Sequence, residues 1–168
     1  MATRPMLDRV REAMFSTLQT RFPDAIVLDL FAGSGSLGLE ALSRGARRVR
    51  FVERGAPALE ALKKNVAALR VGHRVEIIVA DALKAPSWGA PADVVFLDPP
   101  YAMIDEKRSR VLGVLAEIVG SHLKNDGIVV FHTPHGALTA DEVTTAGQAR
   151  VRSYGTNDLW YVERPAPL

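Results

Sequence analysis

Four consecutive residues, Asp98-Pro99-Pro100-Tyr101, follow the apolar run Val94-Val95-Phe96-Leu97. Two prolines fix two φ angles near −65° and remove two backbone N–H donors. Asp98, preceding a proline, is pushed toward extended geometry. A strand therefore runs into a stiff turn that offers acceptors, the Asp98 carboxylate and nearby carbonyls, beside the flat ring of Tyr101. Such a group suits a planar base with an exocyclic NH₂. The plainer alternative is a strand-ending turn with a structural tyrosine, and the tetrapeptide alone does not decide between them.

A second group lies upstream. Gly33-Ser34-Gly35-Ser36-Leu37-Gly38 has the G-x-G-x-x-G form, and Glu53 stands where a ribose-binding acid belongs in a dinucleotide site. A nicotinamide oxidoreductase is thus one reading. Asp29, four residues before Gly33, argues against it, because a carboxylate at the loop mouth would repel a pyrophosphate. It would favour a cofactor carrying an ammonium and a sulfonium, as S-adenosyl-L-methionine does. Gly33 and Gly35 would let the backbone approach that ligand. Glu53 could accept from both ribose hydroxyls, and Asp81 from the adenine NH₂. The flanking Phe31, Ala32, Ser34, Arg54 and Ala82 complete the candidate cofactor set.

Alternating patterns position these residues. Apolar strands are expected at 26–31, 49–52, 75–79, 92–97 and 128–131, with two weaker ones near 149–154 and 159–163. Helices are expected at 9–18, 37–42, 57–69 and 110–123. Strands alternating with helices indicate a parallel sheet covered on both faces, with the closing hairpin adding antiparallel strands at one edge. The fold class is α/β: a Rossmann-like, mostly parallel seven-stranded sheet. Asp29, Glu53 and Asp81 then end successive strands on one crevice, where open α/β sheets bind ligands.

Bulk properties narrow the rest. The 168 residues fit one domain, 1–168, with an N-terminal helical segment at 1–22. Net charge is only +2, so nucleic-acid binding would rest on local clusters: Arg47, Arg48 and Arg50; Lys107, Arg108 and Arg110; Arg150 and Arg152. There is no cysteine, which removes disulfides, cysteine-ligated zinc and thiol nucleophiles. His132 and His135 form a possible metal pair without an evident third ligand, and no metal is expected. Trp88 and Trp160 are expected to pack, and Asn65 to make a structural hydrogen bond. No apolar run approaches the ~18 residues of a membrane span, and the cytoplasm is the expected compartment.

Residues 28–46, Leu28-Asp29-Leu30-Phe31-Ala32-Gly33-Ser34-Gly35 through Gly45-Ala46, closely resemble the cofactor motif of the RsmD family, bacterial 16S rRNA guanine-N2-methyltransferases. Arg4-Pro5 with Asp8-Arg9-Val10-Arg11-Glu12 is similar to that family's N-terminal helix signature. Phe51-Val52-Glu53, Asp98-Pro99-Pro100-Tyr101 and Tyr154-Gly155 follow in the family's order. The resemblance implies a class I methyltransferase acting on 16S rRNA, within a small-subunit assembly particle, as a monomer. It places Asp98, Pro99, Pro100 and Tyr101 at the catalytic turn. Arg4, Arg9, Lys107 and Arg108 become candidate RNA contacts. Two departures stand out: Met6 replaces the family's usual threonine, and the basic β-hairpin usual ahead of the Arg-Pro pair is expected to be missing. Other readings stay open: an adenine amino-methyltransferase, or a non-catalytic S-adenosylmethionine- or RNA-binding protein.

Overall fold

A sheet buried on both faces divides this protein into layers. The computed structural model describes residues 6–167. Seven strands form one sheet: β1 (Ile26–Leu30), β2 (Arg48–Glu53), β3 (Val75–Val79), β4 (Ala92–Leu97), β5 (Leu123–Pro134), β6 (Gln148–Tyr154) and β7 (Asn157–Glu163). Their order is β3-β2-β1-β4-β5-β7-β6. The first five are parallel, and β7 pairs antiparallel with both β5 and β6. The order reverses between β1 and β4, and that switch point opens a crevice at the carboxyl ends of the strands.

One face of the sheet presents Val27, Val49, Phe51, Val94, Phe96, Val130 and Tyr161. Against it pack α1 (Asp8–Leu18), α2 (Ser36–Ser43) and α3 (Ala56–Leu69). The expected stripe Val10, Met14, Phe15 and Leu18 of α1 is fully buried there. The opposite face presents Leu28, Leu30, Val52, Val95, Leu97, Phe131 and Trp160. It is covered by α4 (Tyr101–Glu106), α5 (Arg108–Glu117) and α6 (Ala140–Thr144). Near-continuous apolar runs in β1 and β4 follow from burial on both faces.

Two expectations shift. The helix expected over 110–123 begins at Arg108 and gives way at Ile118 to a wider π turn through His122. The strand expected at 128–131 runs from Leu123 to Pro134. Its pairing with β4 jumps from Ala92↔Leu123 to Val94↔Ile128, so Asn125-Asp126-Gly127 bulges within β5 instead of ending it. Gly127 allows that bulge: a Cβ there would lie 2.6 Å from Leu123 Cδ1. The longer strand carries His132 and Thr133 into the sheet. Short α4 and α6 were not foreseen; a Thr139–Glu142 capping box starts α6.

The third glycine of the loop sets how closely α2 approaches the sheet. A Cβ on Gly38 would overlap the Phe51 ring and reach 2.8 Å from Val49 Cγ1. Gly38→Ala is therefore expected to lower the unfolding free energy by about 1–3 kcal/mol, the usual cost of overpacking a core. Urea denaturation at neutral pH reads this directly; an unchanged midpoint would show that α2 can move away freely.

Candidate functional site

Four carboxylates gather along the carboxyl edge of the parallel strands. Asp29 belongs to β1 and Glu53 ends β2. Asp81 follows β3, and Asp98 follows β4. Asp29 is 1% exposed and accepts the Gly38 N–H at 3.0 Å. Burial drives its pKa well up; the Gly38 hydrogen bond works against that, and the charges of Asp98 and Glu53 add to the rise. No cation pairs with Asp29 among the described residues.

The loop between β1 and α2 is strained. Phe31 takes φ +59°, followed by Gly33 at +59° and Gly35 at +86°. Only glycine adopts such angles without cost, so Phe31 is a conformational outlier of the kind that clusters at ligand sites. Hydrogen bonds hold it: Ala32 N–H donates to Val52 O at 3.1 Å and Gly35 N–H to Ala32 O at 2.9 Å. Asn65 donates to Ser34 O at 3.0 Å, the structural role expected of it.

Two cavities meet at Phe31. The first, about 210 Å³, is lined by Asp29, Ala32, Gly33, Ser34, Asp98 and Pro99, with Met6, Asp8 and Arg11 at its rim. The second, about 390 Å³, is lined by Glu53, Arg54, Asp81, Ala82, Pro100 and Lys107 among others. The first alone is smaller than the ~300–1,000 Å³ of common ligand clefts; continued into the second it falls within that range. All the candidate cofactor residues except Gly35 line one cavity or the other, and Gly35 supplies the backbone turn into α2.

Hydrogen bonding refines the expected roles. Glu53 Oε1 accepts the Gly33 N–H at 2.8 Å, while Oε2 accepts from Arg54 N at 3.0 Å and Gly55 N at 2.8 Å. A carboxylate offers about four lone-pair sites, which leaves room for one more donor, so bonds to two hydroxyls would require a rearrangement. Asp81 Oδ1 accepts the Leu83 N–H at 2.9 Å, and Oδ2 faces Arg54 Nη1 at 3.7 Å. A ligand reaching Asp81 Oδ2 would share it with an exposed arginine.

After the Asp98-Pro99-Pro100 turn, Tyr101 is the first residue of α4. Its hydroxyl donates to Asn157 Oδ1 at 2.8 Å, and its ring stands at 62° to His132 with centroids 5.6 Å apart. A further cleft, lined by Tyr101, Pro134, His135, Gly155 and Thr156, opens beside the ring. His132 Nδ1 lies 2.8 Å from Asp98 Oδ1, whereas His135 Nδ1 faces Asp158 at 2.8 Å. Each imidazole thus takes its own aspartate. Neither His132 nor Asn157 was among the expected site residues. In the sequence they are polar residues beside apolar runs, His132 near the end of β5 and Asn157 at the start of β7.

The basic candidates separate. Arg108 makes a two-pronged ion pair with Glu142 at 2.6 and 2.7 Å, holding the Glu142 carboxyl down at about 2. Arg110 donates to Leu83 O, and Arg50 to the carbonyls of Trp88 and Ala90. These side chains brace the fold. Lys107 lines the second cavity, Arg11 reaches Asp8 at 3.7 Å beside the first, and Arg9 is exposed near Gly155. Arg4 lies outside the described residues. Trp88 and Trp160 are buried and pack, as expected.

A family model described as "Conserved hypothetical protein 95" matches residues 1–163. The chain belongs to this family, the RsmD family of methyltransferases. Bacillus subtilis YlbH is 33% identical over 158 residues, 92% of this chain and 84% of that protein. Ribosomal RNA small subunit methyltransferase D of Escherichia coli is 42% identical over 99 residues, 58% of this chain. That match spans 50% of the relative's length. Among solved structures, Escherichia coli yhhF superposes with a TM-score of 0.79 at 29% identity, covering 98% of this chain and 89% of that one. The fold is that of a class I methyltransferase. No helix among the described residues is long and apolar enough to cross a membrane.

The buried Asp29 gives a testable sign. Its folded pKa is raised above the unfolded value of ~3.9. Ionisation therefore favours the unfolded chain at pH above ~3.9, and that penalty is complete above the folded pKa. Asp29→Asn should raise the melting temperature of the ligand-free protein at about pH 8, with the difference shrinking toward about pH 4. A variant that melts lower at about pH 8 would contradict this.

Proposed function

We propose that this protein transfers a methyl group from S-adenosyl-L-methionine to the exocyclic N2 amine of a guanine in 16S rRNA. The observation that carries the reading is that Asp98 and Pro99 form part of the same cavity wall as Asp29. A site for a cation and a site for an amine therefore share one space.

The residues fit the cofactor. A desolvated carboxylate with no cationic partner among the described residues, Asp29, suits the ammonium end. Glu53 has one acceptor position left for a ribose hydroxyl, and Asp81 Oδ2 can take the adenine amine from Arg54. When bound, S-adenosylmethionine supplies an electrophilic methyl group on a sulfonium centre.

The chain's own part is to prepare the amine. An exocyclic NH₂ is a poor nucleophile because its lone pair is delocalised into the base. Asp98 Oδ1 is held by His132, so Oδ2 is the oxygen offered to the amine, together with the Pro99 carbonyl. Acceptors fixed where positive charge develops localise the lone pair. Tyr101, locked by Asn157, sets the plane of the base in the cleft toward Thr156 and limits the approach to one line. After transfer the methylated nitrogen is acidic and gives up a proton to Asp98 or water. A base in folded RNA must be splayed out to reach this turn, and stacking offsets part of that cost.

The rRNA substrate is supported by relatives named Ribosomal RNA small subunit methyltransferase D, and guanine by the family resemblance. Small-subunit particles in the cytoplasm are the expected setting, with Arg9 and Lys107 as phosphate contacts.

Asp98→Ala is expected to lower methyl incorporation into 16S rRNA by at least about 100-fold, within the range for losing one preorganised electrostatic partner. Its calorimetric affinity for S-adenosylmethionine should stay within about threefold of the parent, because Asp98 acts on the acceptor, not the cofactor. An active variant would overturn the acceptor assignment. Binding of a nicotinamide cofactor in place of S-adenosylmethionine would overturn the whole reading.

A further inference from the structure

His132 stands behind the catalytic turn on β5, with 1% of its side chain exposed. Both ring nitrogens face oxygen: Nδ1 lies 2.8 Å from Asp98 Oδ1, and Nε2 lies 2.6 Å from Asn157 Oδ1 and 3.3 Å from the Tyr101 hydroxyl. The carboxylate can only accept. Asn157 Oδ1 also receives the Tyr101 hydroxyl at 2.8 Å, while Nδ2 points to Tyr154 O and Thr156 Oγ1, each at 3.4 Å. Turning the amide over would set its oxygen against the Tyr154 carbonyl. A neutral imidazole has one N–H and one lone pair. With its N–H on Asp98, its Nε2 lone pair would confront Asn157 Oδ1 at 2.6 Å, and the Tyr101 hydroxyl, 3.3 Å away, could meet it only by leaving its shorter 2.8 Å bond to Asn157 Oδ1. The shorter contacts are all satisfied at once when both ring nitrogens carry protons.

We propose that His132 is a positioning residue carried as an imidazolium, clamping Asp98 through Nδ1 and, through Nε2 and Asn157, clamping Tyr101. One buried cation then fixes both halves of the amine site: the acceptor oxygen and the plane of the ring. The proposal rests on the reading of Asp98 and Tyr101 as the acceptor-amine site.

The surroundings agree. Burial opposes charge on the ring, but the hydrogen bond and charge of Asp98, the Asn157 hydrogen bond and the charge of Asp158 outweigh it, so the pKa is raised. The groups facing the ring come from each packed element: Asp98 from the turn after β4, Tyr101 from α4, and Asn157 and Asp158 from β7. Asp158 is itself occupied by Ser153, His135 and the Gly136 N–H. The consequence has a sign. The charged form and its two clamps are present below the folded pKa. As pH rises through that value one N–H is lost, an acceptor faces a lone pair, and Asp98 or Tyr101 is released. Turnover should therefore fall on the alkaline side.

The test combines a spectroscopic and a kinetic reading on the full chain. In ¹⁵N-labelled protein without RNA, the His132 ring, assigned by its disappearance in His132→Gln, should show two protonated nitrogens at about pH 7. It should titrate above the ordinary ~6.5. In methyl transfer at saturating substrates, kcat should decline through that same pH. His132→Gln should lose about 10- to 100-fold in kcat, the scale of a misplaced reacting group, and should lose the decline, with S-adenosylmethionine affinity within about threefold of the parent. Asn157→Asp, which keeps the acceptor and adds negative charge, should move the decline to higher pH. A neutral ring at about pH 7, or an alkaline limb unchanged in both variants, overturns the proposal. A wild-type protein that transfers no methyl would instead overturn the acceptor reading, while the ring's charge is still decided by its nitrogen shifts.

Discussion

A carboxylate buried where it cannot be comfortably charged, Asp29 against the Gly38 N–H, is the constraint around which the rest of the site is arranged. It requires α2 to approach β1 closely enough to donate a backbone hydrogen bond. That approach is possible only because Gly38 has no side chain to meet Phe51 and Val49. The same closeness forces the tight, left-handed path through Phe31, Gly33 and Gly35 that opens the first cavity. Loop strain, helix position and acidity of the cleft thus share one origin.

A parallel sheet explains why so many acids meet. Successive parallel strands all end on the same edge, so an acid at the end of each comes to one crevice without direct contact between distant parts of the chain. Asp29, Glu53, Asp81 and Asp98 are collected this way across β1, β2, β3 and β4. Each is then tied down differently: Glu53 by three backbone N–H groups, Asp81 by a turn and Arg54, Asp98 by His132. The least compensated of them, Asp29, is the one best suited to a positively charged ligand.

This geometry also separates what was legible in the sequence from what was not. The acids and the glycine loop were readable because each sits at a strand end announced by a short apolar run, and parallel pairing does the rest. The Asp98 turn was readable because two prolines leave the backbone little choice. His132 and Asn157 were not. Their meeting depends on the antiparallel register of β5 with β7, in which Pro134 pairs with Asn157. That register has no local sequence signature, so His132 and His135, noted only as two neighbouring histidines with no metal expected, gave no sign that each would face an aspartate. The ion pair of Arg108 was hidden for a related reason: its partner Glu142 lies 34 residues away on a helix too short to announce itself.

The central claim is that this acidic edge is divided between a cationic methyl donor and an acceptor amine. A crystal structure of the protein with S-adenosylmethionine bound tests it most directly. The account predicts the ammonium beside Asp29, a ribose hydroxyl on Glu53, the adenine amine near Asp81, and the methyl group facing Asp98 and Pro99. A cofactor bound the other way round, or with its methyl group turned away from Asp98, would contradict it.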